Sequence, residues 1–256
     1  MNFHGTELRQ KALTLLRGGI RNADVARELN VPAGTIGSWL YADRRQRGLP
    51  FERAADCPRC TGGKVDRLAY AYLLGLYLGD GHISAGKRGV YSLRIACADA
   101  WPGIMDACTE AMATVRPDNK VFRVQRQGCQ YVTCTSKHWP CLFPQHGPGK
   151  KHDRAIALAD WQREIVSTHP WAFIRGLIHS DGSRVINWTT RLIAGEQKRY
   201  EYPRYFFTNL SADILGLFTD ALDQVGVEWR RASSKNISVA RRASVALMDA
   251  HVGPKY

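Results

Sequence analysis

The chain has 256 residues, with 36 Lys and Arg against 23 Asp and Glu and a formal net charge of +13. That length buries a proper core in one large domain or two ordinary ones, and the cationic excess suits a polyanionic partner through counterion release. No apolar run approaches the ~20 residues of a membrane span. The opening Met1-Asn2-Phe3-His4 lacks the basic and apolar regions of a secretory signal, so the odd count of seven cysteines gives the expectation of reduced thiols in a cytoplasmic, nucleoid-associated protein.

Residues 7–17 carry apolar side chains at helical spacing (Leu8, Ala12, Leu15, Leu16) and are ended by Gly18-Gly19. From Asn22 to Tyr41 the pattern is that of two short helices about the turn Asn30-Val31-Pro32. Val25, Ala26 and Leu29 face inward from the first helix, and Ile36 and Trp39 from the second. Asn tolerates the left-handed conformation that a tight turn needs. The stretch resembles the bacterial helix-turn-helix fold, whose second helix enters the major groove. That resemblance implies a DNA-binding domain over 1–45, with Ala33, Gly34, Gly37, Ser38 and Tyr41 toward the bases. None of these is a bidentate base reader, so binding is expected to lean on the phosphates through Arg44, Arg45 and Arg47. A three-helix packing module accounts for the same residues.

Residues 46–66 read as a linker. It carries Cys57-Pro58-Arg59-Cys60 followed by Gly62-Gly63, half of a zinc knuckle. Ligands to complete a structural Zn²⁺ site lie far off in sequence, at Cys129, Cys134, His138, Cys141 or His146; two free thiols near a turn is the other reading.

One stretch occurs twice. Ala71-Tyr-Leu-Leu-Gly75-Leu-Tyr-Leu-Gly79-Asp80-Gly81 returns as Ala172-Phe-Ile-Arg-Gly176-Leu-Ile-His-Ser180-Asp181-Gly182. As helices, both place small residues at i, i+4 and i+8 on one face, which lets two backbones touch. Each helix ends at Asp-Gly, Gly being usual just past a C-terminus. An acid there faces the negative end of the macrodipole, at a cost of about 0.3–1 kcal/mol. Two such acids brought together across a local dyad also repel. A divalent cation removes both costs, and the pair reads as a metal site; plain packing helices with solvated acids are the alternative.

Around the first copy, His82–Ser84 and Val90–Ala98 read as strands, Pro102–Val115 as a helix with Asp99 as its cap, and Lys120–Arg126 and Cys129–Thr135 as a hairpin about Gln127-Gly128. In that hairpin Phe122 and Val124 alternate with Arg123 and Gln125, which gives one apolar face and one suited to phosphates and base edges. Lys137–Lys151 reads as irregular because it holds three prolines. Asp153–Thr168 reads as a helix, and Pro170 opens the second copy. Then come strands over Ser183–Leu192 and Tyr202–Asn209, a helix capped by Ser211, strands over Val227–Arg231 and Asn236–Arg242, and a helix over Ala243–Val252. Basic residues gather here, Arg184 and Arg230 among them; the cluster of Tyr200, Tyr202, Tyr205, Phe206 and Phe207 reads mostly as packing.

The two copies, Leu73–Gly81 and Ile174–Gly182, resemble the motif of the LAGLIDADG homing endonucleases in its two-motif, single-chain form. The resemblance covers roughly 66–253. It implies an α+β fold: a pseudo-two-fold pair of αββαββα half-domains, over 67–168 and 169–256, behind the small all-α domain. It further implies a monomer that cuts double-stranded DNA at a specific site. The last acid of each motif, Asp80 and Asp181, is then the catalytic metal ligand, with two or three Mg²⁺ ions at the interface. The carbonyls of Gly79 and Ser180 are candidate extra ligands, and Lys137 and Arg242 candidate water-ordering or phosphate-clamping groups. Candidate DNA contacts are Ser38, Tyr41, Arg44, Arg45, Arg123, Gln125, Arg184 and Arg230. The sixth motif position is Leu78 in one copy and His179 in the other, where the family varies. A DNA-binding regulator that keeps this scaffold without cutting is the rival reading.

Overall fold

A computed structural model of the chain describes residues 5–48, 57, 60 and 62–256. The chain divides into two compact units, Met1–Ala55 and Asp56–Tyr256.

In the first unit, helices α1 (Thr6–Arg17), α2 (Asn22–Glu28) and α3 (Ala33–Gln46) close around Ala12, Val25, Val31 and Ile36. Leu8, Leu15, Leu16, Ala26, Leu29 and Trp39 pack on that core. Asn30 takes the left-handed conformation at φ 52° between α2 and α3. Residues 43–46, expected as the end of the domain and the start of a linker, form the last turn of α3. The cause is Asp43, which is buried and accepts hydrogen bonds from the Arg17 guanidinium across the unit. Arg47 pairs with the same carboxylate at 3.6 Å.

The second unit begins with α4 (Arg67–Asp80), whose N-terminus is capped by the Asp66 carboxylate accepting from the Ala69 amide at 2.8 Å. β1 (Gly81–Ala85), β2 (Tyr91–Ala98), α5 (Pro102–Val115), β3 (Val121–Arg126) and β4 (Cys129–Ser136) complete a first half. A short α6 (Trp139–Leu142) and α7 (Asp160–Thr168) lead to α8 (Pro170–Asp181). The second half repeats the order with β5 (Gly182–Ile193), β6 (Glu196–Thr208), α9 (Ala212–Gln224), β7 (Arg230–Ser233), β8 (Asn236–Val239) and α10 (Arg242–His251). Both sheets are antiparallel with equivalent strand orders, β1-β2-β4-β3 and β5-β6-β8-β7.

Helices α4 and α8 lie side by side in a single core shared by the halves. Their contact is backbone on backbone. A Cβ at Gly75 would stand 2.5 Å from the Phe173 carbonyl oxygen, and one at Gly176 would stand 2.2 Å from that of Tyr72. At Gly79 it would meet the Ser180 Oγ at 2.1 Å. Only hydrogen fits at these positions, which is the physical content of the duplicated small-residue pattern.

Several sequence expectations are corrected. Residues 154–159 are not helical: the chain has no regular secondary structure there, burying Ile156 and Leu158, and α7 starts only at Asp160, with the Ala159 amide donating to Gln162 Oε1 at 2.9 Å. Asp99 does not cap α5; Trp101 precedes that helix, and Asp99 accepts instead from the Gln125 side chain at 3.1 Å. The segment after β4 is not wholly irregular, because Pro140 sits in the first turn of α6, where its missing N–H costs nothing. Its neighbours Trp139 and Phe143 are fully buried. The hairpin of β5 and β6 is longer than expected. It turns tightly at Ala194-Gly195, both at positive φ (51° and 83°), a two-residue turn matched to strand twist. β8 pairs only with Tyr205–Thr208, so the far part of this hairpin is a two-stranded ribbon with Ile186, Trp188 and Leu192 exposed. The aromatic cluster divides accordingly: Tyr205 and Phe207 are core, whereas Tyr200 is exposed.

The glycine contact gives a stability prediction. Gly176→Ala forces a methyl against backbone and should cost about 1–3 kcal/mol, a fall of roughly 2–12 °C in melting temperature for a unit of this size. Gly216→Ala in α9 meets open space and should be neutral or stabilising by about 0.5–1 kcal/mol. Thermal unfolding of the two variants beside the parent checks both, and an unchanged Gly176→Ala would contradict the packing.

Candidate active site at the meeting of two helix ends

Because α4 and α8 touch along their length, their C-terminal ends arrive together. Asp80 and Asp181, each the last residue of its helix, line one cleft of about 730 Å³. A Cβ placed on Gly79 would lie 3.2 Å from Asp181 Oδ2, which measures how nearly the second acid reaches the first helix. Glycines 81 and 182 follow the acids. A Cβ at either would lie 2.4–2.6 Å from the Cα of Tyr77 or Ile178 on the preceding helix turn, so the chain leaves each helix directly into a strand.

The two carboxyls differ. Asp80 is enclosed by the cleft walls yet still open to solvent on one side. Its carboxyl is pushed up to about 6, first by lost hydration and then by the charge of Asp181. Water on the open side screens that repulsion. Asp181 is also pushed up, mainly by burial, against which the Asn209 amide donates to its Oδ2 at 2.7 Å. Asn209 is itself fixed, since its Oδ1 accepts from the Ser211 amide at 2.8 Å.

Two lysines complete the site, and the sequence reading missed both in this role. Lys151 Nζ donates to the last carbonyls of α4, at Leu78 (2.9 Å) and Gly79 (2.7 Å), and also to Tyr77. Lys255 Nζ donates to the Ser180 carbonyl at 2.7 Å. Each ammonium therefore sits on the negative end of a helix, where cations are stabilising. Burial pulls Lys151 down to about 8, while Asp181 and Asp80 hold it up. Lys255 is lowered in the same way. The carbonyls of Gly79 and Ser180, expected as metal ligands, are thus already accepting from lysines, each with a second lone pair remaining. His82, His146, Lys150, His152, Arg154 and Lys235 also line the cleft.

The other predicted site residues are scattered. Lys137 and Arg242 are exposed and do not line the cleft. Arg123 and Gln125 are on the helix side of their sheet, not its open face. Arg123 donates to Asp106 and Thr109 of α5, and Gln125 to Asp99. The alternation is out of phase by one residue, because Val121 takes the inward position that Phe122 was expected to hold, and Phe122 is 40 % exposed. The open face of that sheet carries the cross-strand row His82, Arg94, Thr133 and Phe122, with Arg126 further along. Arg184 likewise points to the helix side, clasping Asp249 of α10 at 2.7 and 2.9 Å. Arg230 is on the open face of its sheet, opposite Ser238. Ser38, Tyr41 and Arg45 are exposed and Arg44 half-buried on α3. Far from the acids in sequence, Cys57 and Cys60 meet His138 and Cys141, with one ligating atom from each within 4.8 Å of the others. Of the other ligand candidates, Cys134 is in the core, Cys129 opens β4, and His146 lines the acid cleft.

The raised Asp80 carboxyl has a stability consequence. The folded state holds its proton more tightly than the unfolded chain, so ionising Asp80 destabilises the fold as pH rises from about 4 toward 6. Asp80→Asn should therefore raise the melting temperature at pH 7–8 in chelator, with the gain vanishing below about pH 4. A variant that melts lower than the parent at neutral pH would show the carboxylate to be held by favourable contacts instead.

No protein-family model and no curated protein matches the chain. Among solved structures, it is similar to the homing endonuclease I-DmoI in complex with DNA and Mn, at 15 % identity over 74 % of this chain and 98 % of that one, with a TM-score of 0.49. It is also similar to the LAGLIDADG meganuclease I-AabMI bound to uncleaved DNA (11 % identity, 71 % and 83 % of the chains, TM-score 0.45) and to the meganuclease I-SmaMI bound to uncleavable DNA (9 %, 71 % and 82 %, 0.42). These are likenesses of outline only, and the functional reading rests on the chain's own geometry.

Proposed function

We propose that the protein is a metal-dependent, site-specific double-strand DNA endonuclease of the LAGLIDADG type, acting as a single chain. The observation that carries this reading is the convergence of Asp80 and Asp181 in one cleft at the ends of two helices in backbone contact. The donor set fits a hard divalent cation: two carboxylates, both with proton affinity raised first by burial, on a cleft with room for phosphate and water. Asp80 and Asp181 would hold Mg²⁺, two or three ions in all, with the Gly79 and Ser180 carbonyls beside them. Bound there, the metal supplies charge neutralisation at phosphorus and an activated water for hydrolysis.

The chain's own residues do the rest. Asn209 orients Asp181, leaving its second oxygen for the cleft. Lys151 and Lys255 hold the helix ends and offset the paired acids. Lys150, Arg154 and Lys235 present positive charge to the scissile phosphates. On the open sheet faces Arg94, Arg126 and Arg230 suit the DNA backbone or base edges. The N-terminal unit is read as a helix-turn-helix placing Ser38, Tyr41, Arg44 and Arg45 on DNA.

A second reading, a regulator that binds DNA without cutting, is favoured by one observation: the two lysines already offset the acid pair without a metal. One experiment separates them. Incubation with Mg²⁺ and a randomised duplex library, followed by sequencing of the ends, should give paired cuts at a preferred site. Asp80→Asn should lose cleavage of one strand while keeping affinity, and affinity should fall steeply with salt. Retained binding with no ends produced would favour the regulator, and loss of affinity in Asp80→Asn would make the acid structural.

A further inference from the structure

A second cluster of ligating side chains is set apart from the acid cleft and has no part in the proposed cleavage chemistry. Cys57 and Cys60 lie at the start of the second unit, and the Cys60 amide donates to the Cys57 carbonyl at 3.1 Å. His138 and Cys141 stand one helical turn apart around α6. Ligand atoms from all four lie within 4.8 Å of one another, with Cys60 Sγ and Cys141 Sγ 3.2 Å apart. A tetrahedron with metal–sulfur bonds of about 2.3 Å puts its sulfurs about 3.8 Å apart. The observed spacing is therefore within about an ångström of that figure, whereas a disulfide needs about 2.05 Å.

We propose that these residues form a Cys₃His structural zinc site, closed by four protein ligands. Three soft thiolates and an imidazole select zinc over the hard cation suited to the acid cleft. His138 Nδ1 is buried and has no hydrogen-bond partner among the described residues. A buried ring nitrogen of that kind needs an explanation, and metal ligation at this histidine is one. All four positions being filled leaves no open site for a substrate, so the role is structural. The metal ties the segment ahead of α4 to α6, whose end already holds α4 because Tyr70 Oη donates to the Leu142 carbonyl. It thereby fixes the approach to one of the two helices that carry the acids. The site depends only on the fold of the second unit, and it stands or falls independently of DNA cleavage.

The test is elemental analysis of the full chain purified without added metal, together with the visible spectrum after exchange into Co²⁺. About one zinc per chain is expected, with the d–d bands of tetrahedral thiolate-bound cobalt. Cys60→Ser and Cys141→Ser should each lose the metal, His138→Cys should retain it, and Cys129→Ser, outside the cluster, should be unaffected. Chelation should lower the melting temperature of the parent. Metal-free folded protein with Cys60 and Cys141 open to thiol reagents, a Cys60–Cys141 disulfide on mass spectrometry, or an octahedral cobalt spectrum would each overturn the proposal.

Discussion

The contact of two helix backbones at Gly75 and Gly176 is the constraint on which the rest of the second unit depends. A side chain at either position would lie within about 2.5 Å of the opposing carbonyls, so hydrogen alone permits the approach. Close approach along α4 and α8 brings their ends together and merges the apolar faces of two equivalent halves into one core. Each half would otherwise present an apolar helix face to water. Packing and site geometry therefore have the same cause.

Convergence of the helix ends creates an electrostatic problem that the fold answers from a distance. Two C-terminal dipoles and two carboxylates point at one cleft, all negative. The answer within the chain is Lys151 and Lys255, which reach in from segments 72 and 75 residues away in sequence from the carbonyls they meet. Their ammonium groups satisfy helix-end carbonyls that have no intrahelical partner. The compensation is incomplete: both acids still hold protons more tightly than free carboxylates, first because burial strips their hydration and, for Asp80, also because Asp181 stands nearby. Residual negative charge in an open cleft ringed by basic side chains is the condition in which a hard cation and a phosphate bind together.

Much of this was legible in the sequence because it is periodic or local. The duplicated glycine spacing located α4 and α8, and helix α5 runs over Pro102–Val115 as expected because Pro at its first position starts it. Ser211 caps α9 as read, its Oγ accepting from the Ile214 amide. Failures came where a tertiary contact overrides the local signal. The phase of β3 could not be settled from alternating Val, Phe, Arg and Gln, since Asp106 and Thr109 on α5 are what draw Arg123 inward. Arg184 is expected from the sequence as a DNA contact because its partner, Asp249, is 65 residues on. The C-x-x-C pair was visible, but its completion by His138 and Cys141, out of five candidate ligands, is a property of the fold alone. The two cleft lysines left no sequence signal beyond general basicity.

The central claim is that Asp80 and Asp181 share one electrostatic environment. Carbon-13 NMR titration of the aspartate carboxyls in metal-free protein measures this directly. Asp80 should titrate near 6, move down when Asp181 is replaced by Asn, and lose its elevation when Mg²⁺ is added. Asp80 titrating near 4, with no response to Asp181→Asn or to the cation, would contradict the account.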